Sequence, residues 1–228
     1  KTNDKSKFLG EEEIGKLLLK FSIPAIVGML VNALYNIVDR IFIGKGVGSI
    51  GIGAIFVTSP VALILMAFGM LIGFGGNSLS SIRLGEGKKD EAEKILGNAL
   101  VLLFIISITL SISGLIFIEP LLKIFGASET ILPHAVDYMS IILIGAPFQA
   151  VGFGINAFIR GEGNPKIAMV TMLIGAILNI ILDYIFIFIF NMGIKGAALA
   201  TIISQAVSAI WVLSYFFGSR SMLNLKKE

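Results

Sequence analysis

Asp39 and Asp183 are acidic residues that lie inside long apolar stretches of the sequence. Asp183 is surrounded by AILNIILDYIFIFIF, in which no basic residue is available to pair with it. Burying an unpaired carboxylate is costly, so an acid in such a stretch predicts ion binding or proton transfer. Asp39 precedes Arg40, and two alternatives remain open for it: an ion-binding carboxylate, or a residue that caps the outer end of a helix.

Polar side chains at helical spacing accompany both acids. Asn32 is followed by Tyr35, Asn36 and Asp39 at offsets of three, four and seven residues, which places all four on one face of a helix. Asn179 lies one helical turn before Asp183. Further polar residues in the apolar segments are Gln149, Asn156, Thr201, Ser204, Gln205 and Ser208. We expect these side chains to line a polar cavity inside a helical bundle.

The composition is typical of an integral membrane protein. Hydrophobic residues make up 56% of the 228 positions and charged residues only 14%, against about 25% charged residues in soluble domains. The absence of cysteine excludes disulfides and thiolate metal sites, and the single histidine, His134, cannot form a zinc centre alone. A net charge of +3, spread between apolar stretches, does not indicate nucleic-acid binding. We predict a lipid bilayer as partner, no enzymatic site and no cofactor.

Six apolar segments are long enough to cross a membrane as helices, since a transmembrane helix needs about 20 such residues. They comprise residues 21–38, 46–82, 95–118, 138–159, 167–182 with an extension past Asp183 to 194, and 196–219. We therefore predict an all-α integral membrane protein with a bundle of six transmembrane helices. Residues 1–20 form an amphipathic cytoplasmic leader, residues 21–219 the membrane domain, and residues 220–228 a cytoplasmic tail or the start of a linker.

The distribution of Lys and Arg predicts the orientation of this bundle. Fourteen of these residues fall on the side that carries both termini and four on the other side, so we expect both termini in the cytoplasm. Asp39 then lies roughly 28 Å beyond Lys20 along the first helix, and Asp183 roughly 25 Å beyond Lys166 along the fifth. The two acids are expected at the same depth in the outer part of the bilayer.

Glycine and proline motifs predict structure more than chemistry. GVGSIG at 46–51 matches a dinucleotide-binding string but joins two membrane helices, which excludes that function. GMLIG at 69–73 predicts close helix packing, and RLGEG at 83–87 and RGEG at 160–163 predict tight turns, with a weak internal repeat as the alternative. Pro24 lies in the first turns of the first helix, where it is either a hinge or an ordinary helix-start proline.

The sequence resembles the multidrug and toxic compound extrusion (MATE) transporters along nearly its whole length. The resemblance is carried by IPAIVGMLVNALYNIVDRIFIG, RLGEGKKDEAEKILGNAL, IRGEGNPKIAM and GIKGAALATIISQ. It implies a prokaryotic cell (inner) membrane protein of the DinF-like branch, in which acids on the first and fifth helices bind the coupling cation. Those acids match Asp39 and Asp183. By the same resemblance Asn179, Tyr35, Tyr138 and Thr201, and also Asn32 and Asn156, belong to the site or its cavity.

The family has twelve helices in two lobes, so the resemblance implies that this chain is the amino-terminal lobe and that a carboxy-terminal six-helix lobe is its partner. It implies an antiporter that exports small organic cations or drugs in exchange for H⁺ or Na⁺ held at Asp39 and Asp183. A parallel homodimer of half-transporters is the alternative assembly. The alternative functions are a lipid-linked oligosaccharide flippase, for which a basic cavity is expected, and an intramembrane aspartyl protease.

Overall fold

The computed structural model describes residues 13–218 and 221–225, and six of its helices are long and apolar enough to cross a membrane. The helices are α1 (Ile14–Gly46), α2 (Ser49–Gly85), α3 (Lys89–Ile116), a short α4 (Ile118–Ile124), α5 (Leu132–Gly161), α6 (Pro165–Asp183) and α7 (Gly193–Phe217). The prediction of an all-α six-helix bundle is confirmed. Only α4 was not predicted, because the apolar run that ends at Ile118 hides the break at Phe117.

The two ends of the bundle are distinguished by their loops. The turn end carries the two-residue α1–α2 turn at 47–48, and the tail end carries the loops at 86–88 and 162–164 together with residues 221–225. As expected for tight turns, Gly87 and Gly163 in the two related loops have φ of +78° and +82°. GVGSIG at 46–51 joins α1 to α2 at the turn end.

Helix α1 starts earlier and ends later than its apolar segment indicates. It is continuous from Ile14 to Gly46, so residues 14–20 of the predicted leader extend the first membrane helix. Lys16 and Lys20 are exposed on this extension, where long side chains reach water without ending the helix. Residues 1–12 of the predicted leader lie outside the described residues.

Helix α6 also departs from the predicted segment. Its backbone changes to a π-helix at Tyr184–Ile189, directly after Asp183, and the chain then breaks before α7. Asn191 and Gly193 take φ of 53° and 58° at this break, so the predicted extension of the fifth helix to residue 194 is wrong. Ile194 belongs to α7. The sequence concealed the break because apolar residues continue up to Phe190.

Helix α5 is the centre of the bundle and packs against α2, α3 and α7, whereas α1 packs mainly against α6. The α2–α5 crossing depends on glycine, as the GMLIG motif predicted. A Cβ atom on Gly73 would lie 2.5 Å from the Cα of Gly154, and one on Gly69 would lie 3.7 Å from the Cα of Ala150. The lack of side chains at these glycines lets the two backbones approach closely.

The segment 221–225 folds back onto the tail end through Glu162. This carboxylate, 1% exposed, accepts hydrogen bonds from the Tyr215 hydroxyl at 2.9 Å, the Ser221 hydroxyl at 2.7 Å, and the amides of Met222 at 3.1 Å and Leu223 at 2.8 Å. Burial raises the pKa of Glu162, and these hydrogen bonds oppose the shift. Residues 219, 220 and 226–228 of the predicted tail lie outside the described part of the chain.

Candidate ion site and polar cavity

Asp39 and Asp183 come together because α1 and α6 pack side by side. Asp183 is the last residue of α6 and is fully buried, while Asp39 is half-buried on α1. Their carboxyl groups are close enough to interact directly. Helix α1 continues for seven residues beyond Asp39, so the alternative that Asp39 caps the end of this helix is wrong.

The oxygen atoms at this pair lack protein donors. Asp39 Oδ1, both carboxylate oxygens of Asp183 and Asn179 Oδ1 are buried without a hydrogen-bond partner among the described residues. The Asn179 amide nitrogen donates to Thr201 Oγ1 at 3.4 Å, which leaves its oxygen free. Two carboxylates in contact repel unless a proton or a cation lies between them, and hard cations bind oxygen ligands. The arrangement therefore suits a proton or Na⁺.

Two tyrosines lie beside the acids. Tyr35 is one turn before Asp39 on α1, and both it and Tyr138 of α5 are near enough to feel the charges of Asp39 and Asp183. Tyr138 packs against the apolar cluster of Ile43, Ile187 and Ala197. Tyr138 therefore lies near the acid pair and also contacts this apolar cluster.

A cavity of about 370 Å³ lies between α1, α2, α5, α6 and α7. Its lining includes the following residues that the sequence singled out: Asn32, Tyr35, Asn36, Gln149, Asn156, Asn179, Thr201, Ser204, Gln205 and Ser208. The structure thus brings the polar faces of four helices to one space. Asn156 is also tied to α6, because its amide donates to the carbonyl of Ala168 at 3.1 Å.

The carboxylates and the cavity are adjacent but distinct. Asp39, Asp183 and Tyr138 do not belong to the lining residues, whereas Asn179 and Tyr35 do. Since Asn179 also lies one turn from Asp183, these two residues form the wall between the acid pair and the cavity. A change at the acids can reach the cavity through this wall.

The sequence missed two arginines in the cavity wall. Arg40 and Arg160 both line the cavity, so its wall carries positive charge in addition to the polar side chains that the sequence singled out. Both residues lie near helix ends, where basic residues usually indicate the orientation of a helix in the membrane. Their contact with the cavity depends on how α1 and α5 are rotated, which the sequence does not show.

Pro24 and the π-helix are the irregular positions on the two helices that carry the acids. Pro24 is buried inside α1, in its third turn, so the alternative of an ordinary helix-start proline is wrong. Neighbouring Gly28 packs so closely that a Cβ atom would lie 2.8 Å from the Met172 sulfur of α6. The π-helix after Asp183 places Tyr184 and Phe188 against Phe42 of α1, with ring centroids 6.4 and 5.5 Å apart. Both irregularities lie on the α1–α6 interface.

Comparison with known proteins identifies relatives along the whole described bundle. The MatE family model matches residues 24–185. The multidrug export protein MepA of Staphylococcus haemolyticus is 33% identical over 209 residues, which cover 92% of this chain and 46% of that protein. A FAD transporter of Shewanella oneidensis is 35% identical over 199 residues, covering 86% of this chain and 44% of the relative.

Solved structures agree with this assignment. A crystal structure described as MATE in the bent conformation superposes with a TM-score of 0.91 at 31% identity, covering 99% of this chain and 50% of that one. The chain spans about half the length of the curated relatives it matches. Its six helices therefore correspond to one half of the twelve-helix fold.

Proposed function

Because the chain belongs to the MATE family, we propose that it forms one lobe of a secondary antiporter that exports organic cations or drugs in exchange for H⁺ or Na⁺. The observation that carries the proposal is the pair of neighbouring carboxyl groups, Asp39 and Asp183, whose buried oxygens lack donors among the described residues. This pair lies directly behind the wall of a polar cavity. Their adjacency gives ion binding a direct route to affect substrate binding, and antiport requires such coupling.

The coupling would operate through the α1–α6 interface. An ion that binds between Asp39 and Asp183 removes their repulsion and draws α1 towards α6. It can drive a conformational change only if it binds one conformation more tightly than the other. Pro24 removes one backbone hydrogen bond within α1 and supplies a hinge between the acid-bearing part of this helix and its tail-end part. A change in α1 would alter the cavity through Tyr35 and Asn32.

A proton is our preferred coupling ion, since none of the described basic side chains pairs with Asp183 and two neighbouring carboxyls can share one proton. Na⁺ is the competing candidate, with Asn179 Oδ1 as a third oxygen ligand. Within the described residues there is no group of three His, Asp or Glu side chains that would hold a metal ion.

We further propose that a second six-helix lobe completes the transporter and that the tail end faces the cytoplasm. Alternating access in such folds needs two rigid bodies that move relative to each other. The described basic residues at the tail end are Lys16, Lys20, Arg83, Lys88, Lys89, Lys94, Arg160 and Lys166, against Arg40, Lys45, Lys123 and Lys195 at the turn end. This imbalance favours a cytoplasmic tail end in a prokaryotic cell membrane.

The alternatives fit the site less well. A flippase for lipid-linked oligosaccharides needs basic groups that converge on a pyrophosphate, but Arg40 and Arg160 lie near opposite ends of the bundle. An intramembrane aspartyl protease needs two aspartates that face a substrate cleft, whereas Asp183 is fully buried and neither acid lines the cavity. The MATE relatives are transporters.

Drug efflux from vesicles that contain the complete twelve-helix transporter tests the proposal. In Na⁺-free buffer we expect an imposed pH gradient alone to drive efflux of a fluorescent cation, and Asp183→Asn to abolish it at equal expression. The amide can neither carry a proton nor balance a cation. Asp137→Asn is the matched control, because Asp137 is an exposed aspartate of the turn end in a surface ion pair with Lys195 at 3.1 Å, which contributes little.

Two results would contradict this assignment. Efflux by Asp183→Asn at the rate of the unmodified transporter would remove the carboxyl pair from the mechanism. A strict requirement for Na⁺ would leave the pair in place but replace the proton as its ion.

A further inference from the structure

Arg160 is a guanidinium without a carboxylate partner in the cavity wall. It lies in the last turn of α5 and lines the cavity with Asn156, which is one turn before it. Among the residues that the structure describes, no acidic side chain forms an ion pair with it. Its planar group lies over the ring of Phe74, 5.7 Å from the centroid. Such stacking holds the guanidinium by its face and leaves its N–H groups at the edge, where none of the described residues accepts a hydrogen bond from them.

The related loop at the same end of the bundle shows why this arginine is unpaired. In RLGEG, Arg83 is three residues before Glu86 and forms an ion pair with it at 2.9 Å and with Glu91 at 3.1 Å. In RGEG, one residue is missing and Arg160 is only two residues before Glu162. Residues three apart on a helix face each other and residues two apart do not. The shorter spacing therefore separates Arg160 from its nearest acid in the sequence.

Glu162 is also fully engaged elsewhere. Its two oxygens accept four hydrogen bonds from Tyr215 and the segment 221–225, and the side chain is buried away from the cavity. Arg40, the other cavity arginine, differs because it directly follows Asp39, whose charge acts on it. Arg160 is thus the cavity cation whose charge the described residues leave uncompensated.

We infer that Arg160 is a specificity residue of the cavity and binds an acidic group, a carboxylate or a phosphate, on the exported compound. This inference rests on the proposed transport function and states a preference among its substrates for compounds that carry such a group, including organic cations with an additional acid. A guanidinium presents its donors in a fork that matches a carboxylate or a phosphate. Asn156 and the other amide side chains of the cavity lining supply further donors and acceptors to the same compound.

Binding of two matched pairs of fluorescent probes tests the inference. The first pair is rhodamine 6G and its free acid, which differ by an ester against a carboxylate. The second pair is riboflavin and riboflavin phosphate. A hydrogen-bonded charge contact is worth about 1.5–3 kcal/mol, so we expect the acidic member of at least one pair to bind about tenfold more tightly to the purified chain in neutral detergent. The pair that shows the preference identifies the acid as carboxylate or phosphate.

Three variants assign this preference to Arg160. In Arg160→Gln we expect the affinity ratio within the pair to fall to about one. In Arg160→Lys we expect a weaker preference than in the unmodified chain, because the charge is restored without the planar fork. Lys166→Gln is the matched control, since it removes an exposed positive charge at the same end of the bundle but outside the cavity lining. It should keep the ratio of the unmodified chain.

Defined outcomes overturn the inference. Equal binding within both pairs by the unmodified chain contradicts it without the need for any variant. An unchanged ratio in Arg160→Gln contradicts it as well. Phosphatidylglycerol added to the micelle tests a lipid headgroup as the alternative ligand. If this lipid displaces neither probe, and if Arg160→Gln no longer binds the lipid, the guanidinium binds a lipid headgroup instead. Gradient-driven efflux of rhodamine 6G reports the proposed function separately, because it does not depend on an acidic group.

Discussion

At the scale of single residues, the site depends on oxygen atoms that the protein leaves without donors. A buried polar atom without a partner is costly, and four such atoms belong to Asp39, Asn179 and Asp183. This cost is acceptable where a ligand supplies the missing interaction. The pattern therefore distinguishes these acids from Asp137, Glu86 and Glu162, which all have partners within the protein.

Asp39 should matter as much as Asp183. We expect Asp39→Asn to lower efflux of a fluorescent cation by about tenfold or more, because a charge-assisted contact is worth about 1.5–3 kcal/mol. Transport by the complete transporter in vesicles is the measurement, with Asp137→Asn again as the control. Efflux within about twofold of the unmodified level would mean that Asp183 acts without its neighbour.

At the scale of helices, backbone contacts decide the packing that positions the site. The close approach of α2 and α5 fixes the cavity wall that these helices share. A Cβ atom on Gly73 would lie 2.5 Å from the Gly154 backbone, whereas one on Gly75 would meet nothing within 4 Å. Because both glycines lie on α2, a change to alanine raises the helix propensity equally at both positions. A difference in stability between the two variants therefore reports the packing contact alone.

Gly73→Ala should destabilise the bundle and Gly75→Ala should not. Overpacking costs about 1–3 kcal/mol, and at about 2–4 °C per kcal/mol we expect a loss of about 2–12 °C in Tm. Gly75→Ala should leave Tm unchanged or raise it, since alanine favours a helix by up to about 1 kcal/mol. Thermal unfolding in detergent measures both. Equal Tm values for the two variants would show that the α2–α5 contact does not limit stability.

The segment 221–225 should be released when Glu162 loses its charge. In Glu162→Gln only one oxygen remains to accept the four donors, so the buried Met222 should become accessible. The chain has no cysteine, and the single thiol of a Met222→Cys variant can therefore report accessibility by its labelling rate. We expect a rise of about tenfold or more, the equivalent of one lost charged hydrogen bond. Glu86→Gln, in the related exposed loop, is the control, and equal labelling in both backgrounds would contradict the docking role.

At the scale of the whole molecule, the chain supplies one six-helix lobe and one polar cavity. Many large apolar side chains face outward along α1 and α2, among them Leu30, Leu34, Phe56 and Leu71, as expected for lipid-facing helices or for a surface that meets another lobe. Its relatives are about twice as long. The proposed ion site is complete within this lobe, but the proposed movement is not.

The chain alone should bind a coupling ion weakly and transport nothing. Alternating access needs a second body, whereas the carboxyl pair lies entirely between α1 and α6. Efflux from vesicles that hold only residues 1–228 tests this, together with crosslinking to detect dimers. Gradient-driven efflux by a crosslinked homodimer would instead identify a complete half-transporter.

The sequence by itself determined the number of membrane-spanning helices, their apolar character and the polar face of α1. These features are local, because the mean hydropathy over about 20 residues and a periodicity of about 3.6 residues can be read directly from the sequence. For the same reason the sequence indicated Asp39 and Asp183 as costly residues, and GMLIG as a contact between helices.

Only the tertiary structure decided which helices are neighbours. Asp39 and Asp183 are 144 positions apart in the printed sequence, and they meet because α1 packs against α6. The π-helix after Asp183 and the docking of 221–225 on Glu162 likewise depend on contacts between distant segments. Arg160 lines the cavity because of how α5 is rotated. It does not pair with Glu162 because that carboxylate accepts its hydrogen bonds from Tyr215 and the segment 221–225. Such features arise from long-range packing, on which spacing along one helix carries no information.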